Sequence, residues 1–338
     1  MSLVPLARSS AVVATASLAS CAAVLALLVG AGPAQSAPSS EATRVLAISI
    51  DGLNVKALDR LGRAGAPNFH RLLREGASTR NARTERELTL TLPNHTGMLT
   101  GRRIAKDRGG HGVTWNDERP RITVQKSAGH RVGSVFGVVH RAGGRTALFS
   151  TKTKFSLCNR SWGHAIDRFR VDEHQGALVR SARRDLVRRN RAFTFLHVSL
   201  PDQAGHDHGF MSDEYVAAVR RTDVLLGRVL ATIEKHRALA RNLAVVLTAD
   251  HGGDGPTHSD PRRFANYRVP FVVWGAGIPA GDLYDLNADY ENPGRGRPTY
   301  AGAQPVRNAD VANLSTDLLG LGAVPGSELD AAQDLDVR

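Results

Sequence analysis

Cysteine is almost missing from this chain, with two among 338 residues. Cys21 lies in an apolar N-terminal run and Cys158 stands alone in the body of the chain, so removal of that run leaves no intrachain disulfide to form. The same shortage excludes a thiolate zinc cluster, and any metal centre has to draw on the thirteen histidines and on carboxylates. Internal repeats and long low-complexity linkers are also lacking. Acidic residues are outnumbered, 32 against 44 basic ones, giving a formal charge of +12. The surplus is nearly all arginine and is scattered along the chain, whereas a dedicated nucleic-acid binder concentrates its charge on one face, so no specific nucleic acid is expected as partner. What is present, 42% hydrophobic and 22% charged residues, is ordinary globular composition. It excludes disorder, collagen and coiled coil for the bulk of the chain.

The apolar run Ala11 to Gly30 is long enough to span a bilayer and has to be classified before any fold is read. Arg8 precedes it, and Gly32, Pro33, Ala34, Gln35, Ser36 and Ala37 follow, ahead of a polar Pro-Ser-Ser-Glu stretch. Together these read as a signal peptide over residues 1–37, cut near Ala34 to Ala37, which implies a secreted or extracytoplasmic protein with no membrane contact beyond that segment. An uncleaved anchor is the main competitor. A lipoprotein box at Leu18-Ala19-Ser20-Cys21 fits less well, because the apolar run continues past Cys21.

Beyond residue 38, short β-rich runs alternate with longer helical patterns, predicting one α/β domain over 38–338. Strands are expected at Arg44 to Ile50, Arg145 to Ser150, Ala192 to Leu200, Leu243 to Ala249 and Val269 to Trp274. Each is a near-continuous apolar run, as strands covered on both faces of a mainly parallel central sheet require. The clearest helix starts at the N-cap Ser212, with apolar residues at Tyr215, Val219, Leu226, Val229, Leu230 and Ile233. Arg180 to Arg191 also reads as helical, with Ala182, Leu186 and Val187 too few for a wide buried face, and its charge reads as a solvated surface. Residues 280–303, rich in Gly, Pro, Asn and Asp, read as a surface excursion, and Asp310 to Gly326 as a short helix stopped by glycines.

Three strands finish in an aspartate: Asp51, Asp202 and Asp250. Ligand crevices of open α/β sheets lie beyond the carboxyl ends of the strands, where these residues can converge. A lone strand-end aspartate is ordinarily a turn residue or cap. Here His206 follows Asp202 by four residues, His251 adjoins Asp250, and His258 lies in the same glycine-rich loop. Three Asp and three His make two mixed nitrogen and oxygen sites, suited to zinc first and with less selectivity to manganese or iron. Two divalent ions about 3.5–4 Å apart are the usual clamp for displacement at phosphorus. A nucleophile is offered by Thr91 in Leu90-Thr91-Leu92-Pro93-Asn94-His95, ahead of a helical run, where a helix N-terminus favours an anion. Taken alone, Thr91 would be read as an N-cap.

These segments resemble the alkaline phosphatase superfamily, and within it the type I phosphodiesterases and nucleotide pyrophosphatases. The matching pieces are Asp51-Gly52, Thr91 to His95 continuing to Leu99-Thr100-Gly101, His111-Gly112-Val113-Thr114-Trp115-Asn116, Pro201-Asp202 with Gly205-His206, and Asp250-His251-Gly252-Gly253. They occur in the family's order over roughly two thirds of the chain. The resemblance implies an alkaline-phosphatase-like fold acting on small phosphate esters. It further implies that Asp202, His206 and His258 hold one divalent ion while Asp51, Asp250 and His251 hold the other, that Thr91 is the bridging nucleophile, and that Asn116 donates to a phosphoryl oxygen. His95 and His208 carry no metal role in it. The chain departs from the family after His258, where Ser259 stands in place of the usual glycine.

Lys152 and Lys154 follow the second expected strand, where some phosphomonoesterases and phosphonoacetate hydrolases of the superfamily carry a basic pair that contacts the substrate's anionic group. They are the main sequence argument for a monoester or phosphonate over a diester. Cys158 lacks the Cys-x-Pro-x-Arg context of sulfatases, and a cytoplasmic phosphoglycerate mutase with a serine nucleophile is disfavoured. The reading is therefore a secreted two-metal phosphoric ester hydrolase working through a phospho-threonine. The alternatives are an inactive binding protein on the same fold and a basic surface-binding protein. The oligomeric state is left open.

Expression in a bacterium with a working secretion system should give a mature N-terminus close to Ala37, with Cys158 titrating as a free thiol after unfolding. N-terminal sequencing checks this, and a lipid-bearing Cys21 at the mature terminus would refute it.

Overall fold

Apolar side chains on both faces of a strand commit both faces to burial. In the computed structural model, which describes residues 42–338, every residue of the three central strands is buried. The expected signal segment, with Cys21, lies outside the described residues. Eight strands form one sheet: β1 Arg44–Ile50, β2 Ala77–Arg83, β3 Thr146–Ser150, β4 Arg168–Val171, β5 Phe193–Val198, β6 Leu243–Thr248, β7 Arg268–Gly275 and β8 Gly281–Asp282. Their order is β4-β3-β5-β1-β6-β7-β2-β8. The pairs β1 with β5, β1 with β6, β3 with β5 and β3 with β4 are parallel, as expected for this class of sheet. β7 pairs antiparallel with β6 and with β2, so the sheet is mixed at that edge.

All five expected strands are present within a residue or two of their expected ends. β2, β4 and β8 carry no apolar run: β2 reads ASTRNAR, β4 reads RFRV, and β8 has two residues. Each lies toward an edge of the sheet, where pairing fixes the strand and side-chain burial contributes less. The helix Asp213–Lys235 begins as expected, with Ser212 Oγ accepting from Tyr215 N at 3.1 Å. The arginine-rich helix starts earlier than expected, at Gln175, and ends at Arg188. Leu178 and Val179 complete its buried face, while Val187 points outward and is 42% exposed. No helix of the described residues is long and apolar enough to cross a membrane.

Residues 280–303 run over the surface with one short helix, Leu283–Leu286, and return Tyr300 to the loop that leads into Thr91. There the Tyr300 hydroxyl lies 2.5 Å from both Glu85 Oε2 and Glu87 Oε2. One hydroxyl proton cannot serve two carboxylates. A protonated Glu85 that donates to Tyr300, which in turn donates to Glu87, places one proton in each of the two contacts. Burial pushes the Glu85 carboxyl up to about 8 in agreement with this.

A carboxyl whose folded pKa lies above its unfolded one binds more protons in the native state, so stability falls as pH rises from the unfolded value, about 4.5, through about 8. Glu85→Gln, which mimics the protonated form, should flatten the decline over that window and melt higher than wild type at pH about 8. Melting curves against pH check this; a parallel pH dependence in both proteins would refute it.

Candidate active site and metal centre

Parallel pairing of β5, β1 and β6 aligns their carboxyl ends, with Ile50 opposite Val198 and Ser49 opposite Thr248. The residues that follow therefore meet: Asp51, Asp202 and Asp250 are all buried within one constellation. His251 Nε2 stands 3.5 Å from Asp51 Oδ1 and 3.2 Å from Asp250 Oδ2. On the other side, His206 Nε2 is 3.4 Å from Asp202 Oδ1 and 3.1 Å from His258 Nε2, and His258 Nε2 is 3.7 Å from Asp202 Oδ1. Asp202, His251 and His258 also present their donor atoms within 4.8 Å of one another. The two halves join through His251, whose ring stacks on that of His258 at 3.6 Å.

The donor atoms fit divalent ions. Ligands on a tetrahedral zinc with bonds near 2.0–2.1 Å are separated by about 3.3 Å, close to these spacings. Among the buried polar atoms with no hydrogen-bond partner are Asp51 Oδ1, Asp202 Oδ1, Asp250 Oδ2, His251 Nε2 and Thr91 Oγ1. Orphaned acceptors are rare in native interiors, and here they gather in one place. The imidazole tautomers agree. His251 Nδ1 donates to Gly252 O at 2.8 Å and His258 Nδ1 to Thr89 O at 2.7 Å, which leaves both Nε2 lone pairs facing the carboxylates. Burial keeps both rings neutral, lowering His251 and taking His258 down to about 2.

Three buried carboxylates repel one another, and Lys152 is the cation set among them. Its Nζ lies 2.7 Å from Asp51 Oδ2 and 2.6 Å from Asp202 Oδ2. Burial opposes charge on Asp51, yet the Lys152 ammonium and the His197 hydrogen bond hold its carboxyl well below the usual range. Asp250 goes the other way: burial, then the nearby charges of Asp51 and Asp202, raise it well above that range. Lys152 thus faces the Asp51 and Asp202 carboxylates, and Lys154 Nζ donates to Asn116 Oδ1 at 3.1 Å. Neither ammonium of the expected substrate-binding pair is directed at open solvent.

Thr91 opens the helix Thr91–Thr100, and the N-cap is Leu90. Thr91 caps nothing, and its buried hydroxyl is unpartnered. Asn116 Oδ1 accepts from Leu92 N at 2.9 Å as well as from Lys154, and two donors fix the oxygen end of the amide. Its Nδ2 is left to donate elsewhere.

Three contributors escaped the sequence reading. His197 Nε2 donates to Asp51 Oδ2 at 2.9 Å, and the available signal was one imidazole inside an apolar strand. His95, expected to be structural, is buried and links Ser49 Oγ at 2.8 Å to the Thr91 carbonyl at 2.7 Å, so it positions the start of the helix Thr91–Thr100. His208, also expected to be structural, is exposed. Phe210 is the third. A β-carbon at Gly253 would stand 2.2 Å from its ring, one at Gly205 2.6 Å, and one at Gly52 3.2 Å, where φ of 70° already favours glycine. Gly52, Gly205 and Gly253 leave room for one phenyl ring that packs together the segments bearing Asp51, Asp202 and Asp250.

Phe210→Ala should cost about 3–5 kcal/mol of stability and loosen all three loops at once. Urea unfolding and zinc titration check this, and an unchanged zinc affinity would show that Phe210 does not position the ligands.

A family model described as type I phosphodiesterase / nucleotide pyrophosphatase matches residues 45–260. Among curated proteins, the chain is similar to GPI ethanolamine phosphate transferase 1 of Yarrowia lipolytica, 31% identical over 146 residues, covering 40% of this chain and 15% of that one. The Saccharomyces cerevisiae protein of the same name is 29% identical over 150 residues, with the same two coverages. The chain thus spans about 15% of the length of these relatives. Among solved structures, murine ectonucleotide pyrophosphatase / phosphodiesterase 5, in a form described as inactive and in complex with AMP, superposes with a TM-score of 0.49 at 20% identity, over 62% of this chain and 57% of that one. The human counterpart gives 0.49 at 19% identity, with the same coverages.

Proposed function

The chain belongs to the type I phosphodiesterase / nucleotide pyrophosphatase family of the alkaline phosphatase superfamily, and from that premise we propose that it is an exported, metal-dependent hydrolase of small phosphoric esters with Thr91 as nucleophile. The observation that carries the reading is the gathering of orphaned acceptors, Asp51 Oδ1, Asp202 Oδ1, Asp250 Oδ2 and His251 Nε2, together with the orphaned Thr91 hydroxyl. Asp202, His206 and His258 would hold one divalent ion and Asp51, Asp250 and His251 the other, zinc being the ion best suited to these donors. Ions bound there supply positive charge that favours an ionised Thr91 hydroxyl and a departing ester oxygen.

The rest falls to the chain's own residues. Thr91 Oγ forms a bond to phosphorus as the ester P–O bond breaks, and the leaving oxygen departs as an alcohol after taking a proton. Asn116, its oxygen held by Leu92 N and Lys154, turns Nδ2 toward a non-bridging phosphoryl oxygen and donates as negative charge grows there. Water then forms the new P–O bond, the Thr91 Oγ–P bond breaks, and the hydroxyl is regenerated. Lys152, held on Asp51 and Asp202, neutralises ligand charge, which favours the phosphodiesterase or pyrophosphatase reading. The monoester and phosphonate alternatives need one of the two ammonium groups to leave its present partner. The similarity to transferases supports a second reading, in which an alcohol replaces water as acceptor.

Thr91→Ser should retain measurable turnover, whereas Thr91→Ala should lose several orders of magnitude while still folding and binding metal. A chromogenic panel of diester, monoester, phosphonate and sulfate, with zinc supplied and then chelated and with and without a primary alcohol, measures this. Activity of Thr91→Ala within about tenfold of wild type, or full activity after exhaustive chelation, would overturn the mechanism.

A further inference from the structure

Some of the arginines that look scattered in sequence are gathered by the fold onto one face. On the helix Asp213–Lys235, Arg221, Arg228 and Lys235 recur every seven residues and are all exposed, with Val224 and Ala231 exposed between them. Seven residues make nearly two turns, so this is one continuous stripe. The neighbouring helix Gln175–Arg188 presents Arg180, Arg184 and Arg188 at spacings of four, all exposed, with Val187 beside them. Between the two helices runs a groove of about 460 Å³, walled by Arg180, Arg183, Arg184 and Arg188 on one side and by Lys235 and His236 on the other. None of its lining residues is acidic. The nearest acids of the two helices are engaged elsewhere, Asp185 with Arg191 and Glu234 with Arg71.

We propose that this face is a docking surface for an anionic lipid bilayer. Two observations select a bilayer over a nucleic acid. Val187 and Val224, at 42% and 51% exposure, are two of the three exposed large apolar side chains among the described residues, and both stand within the basic stripes. A bilayer interface takes guanidinium groups and apolar tips together, whereas a phosphate backbone leaves the valines in water, and the stripes hold no aromatic on which a base could stack. The second observation is where the chain enters the fold. Arg44, the first residue of β1, donates to the carbonyls of Leu186, Arg189 and Arg191 at 2.9–3.0 Å, so the described chain begins beside the end of the arginine-rich helix. In the uncleaved chain, the competing reading of the N-terminal segment, the apolar run Ala11 to Gly30 precedes that point in the sequence. Asp51 and Asp202 lie at the far ends of their strands, and the helix Asp213–Lys235, about 34 Å long, starts against Gly52 through Tyr215 and finishes at the groove. The groove thus lies at the end of this helix away from Gly52, and docking by this face leaves the loops bearing Asp51 and Asp202 uncovered.

The test uses the full chain with vesicles of pure phosphatidylcholine and of phosphatidylcholine containing roughly one third phosphatidylglycerol, read by flotation. The apolar N-terminal run is common to every variant, and the pure phosphatidylcholine vesicles report its contribution. Binding to the anionic vesicles should exceed binding to neutral ones and weaken with salt. The quadruple variant Arg180→Gln, Arg184→Gln, Arg188→Gln and Arg228→Gln should lose at least about a hundredfold of that excess, while its melting curve stays where it was. Val187→Ser with Val224→Ser should weaken vesicle binding and leave binding to a DNA duplex unchanged. Equal vesicle binding by wild type and the quadruple variant overturns the proposal, as does wild-type binding to the duplex that is tighter than to the vesicles.

Discussion

Three carboxylates buried against one another at the ends of neighbouring strands set the terms for everything around them. Buried like charges cannot all stay ionised without compensation. The fold answers with one ammonium, Lys152, against Asp51 and Asp202, and with hydrogen bonds from His197 to Asp51 and from Gly52 N to Asp250 Oδ1 at 3.0 Å. These partners occupy the outward oxygens. One inward oxygen on each carboxylate, and the Nε2 of His251, are left with nothing to bond. The arrangement is costly for a bare protein and well suited to one that binds cations, and the raised Asp250 carboxyl is where the strain is expressed.

Holding such a centre requires that its loops cannot relax apart. Phe210 serves this end by filling the space left by three glycines, one from each ligand loop. Thr89 ties the His258 loop to the segment ahead of Thr91 by accepting from the ring at its carbonyl and donating its hydroxyl to the His258 carbonyl. Tyr300 reaches from the surface excursion to the same segment through Glu85 and Glu87. The segment ahead of Thr91, the His258 loop and the surface excursion are thus joined by polar contacts between residues far apart in the chain.

Much of this was legible in the sequence, and the reason is local. Apolar runs long enough to bury both faces report a strand from their own composition, and an aspartate at the end of three of the five reports a crevice once those strands are known to be parallel. The helix at Ser212 announced itself by its cap and its period. What was hidden depends on partners far along the chain. β2 is polar and becomes a strand because β7 is there to pair with it. His197 is indistinguishable from a core histidine until Asp51 is set beside it. Lys152 reads as a basic loop residue until two carboxylates close around it. Side-chain direction at loop residues is decided by tertiary contacts, which spacing alone does not encode.

Charge taught the same lesson in reverse. Arginines spread through the sequence were read as spread through space, yet a spacing of seven on one helix and four on its neighbour aligns them on a single surface. Linear scatter and spatial scatter are different quantities, and the helical period converts one into the other. Parallel strands give every βα unit the same direction, with one end that collects ligands and one that collects the starts of strands. In this chain the strand ends gather the buried carboxylates Asp51, Asp202 and Asp250, and two helices that run back from those ends carry exposed arginines along their outer faces. The carboxylate cluster and the basic stripes are thus built from different residues, so that an anion met by one need not compete with an anionic surface met by the other.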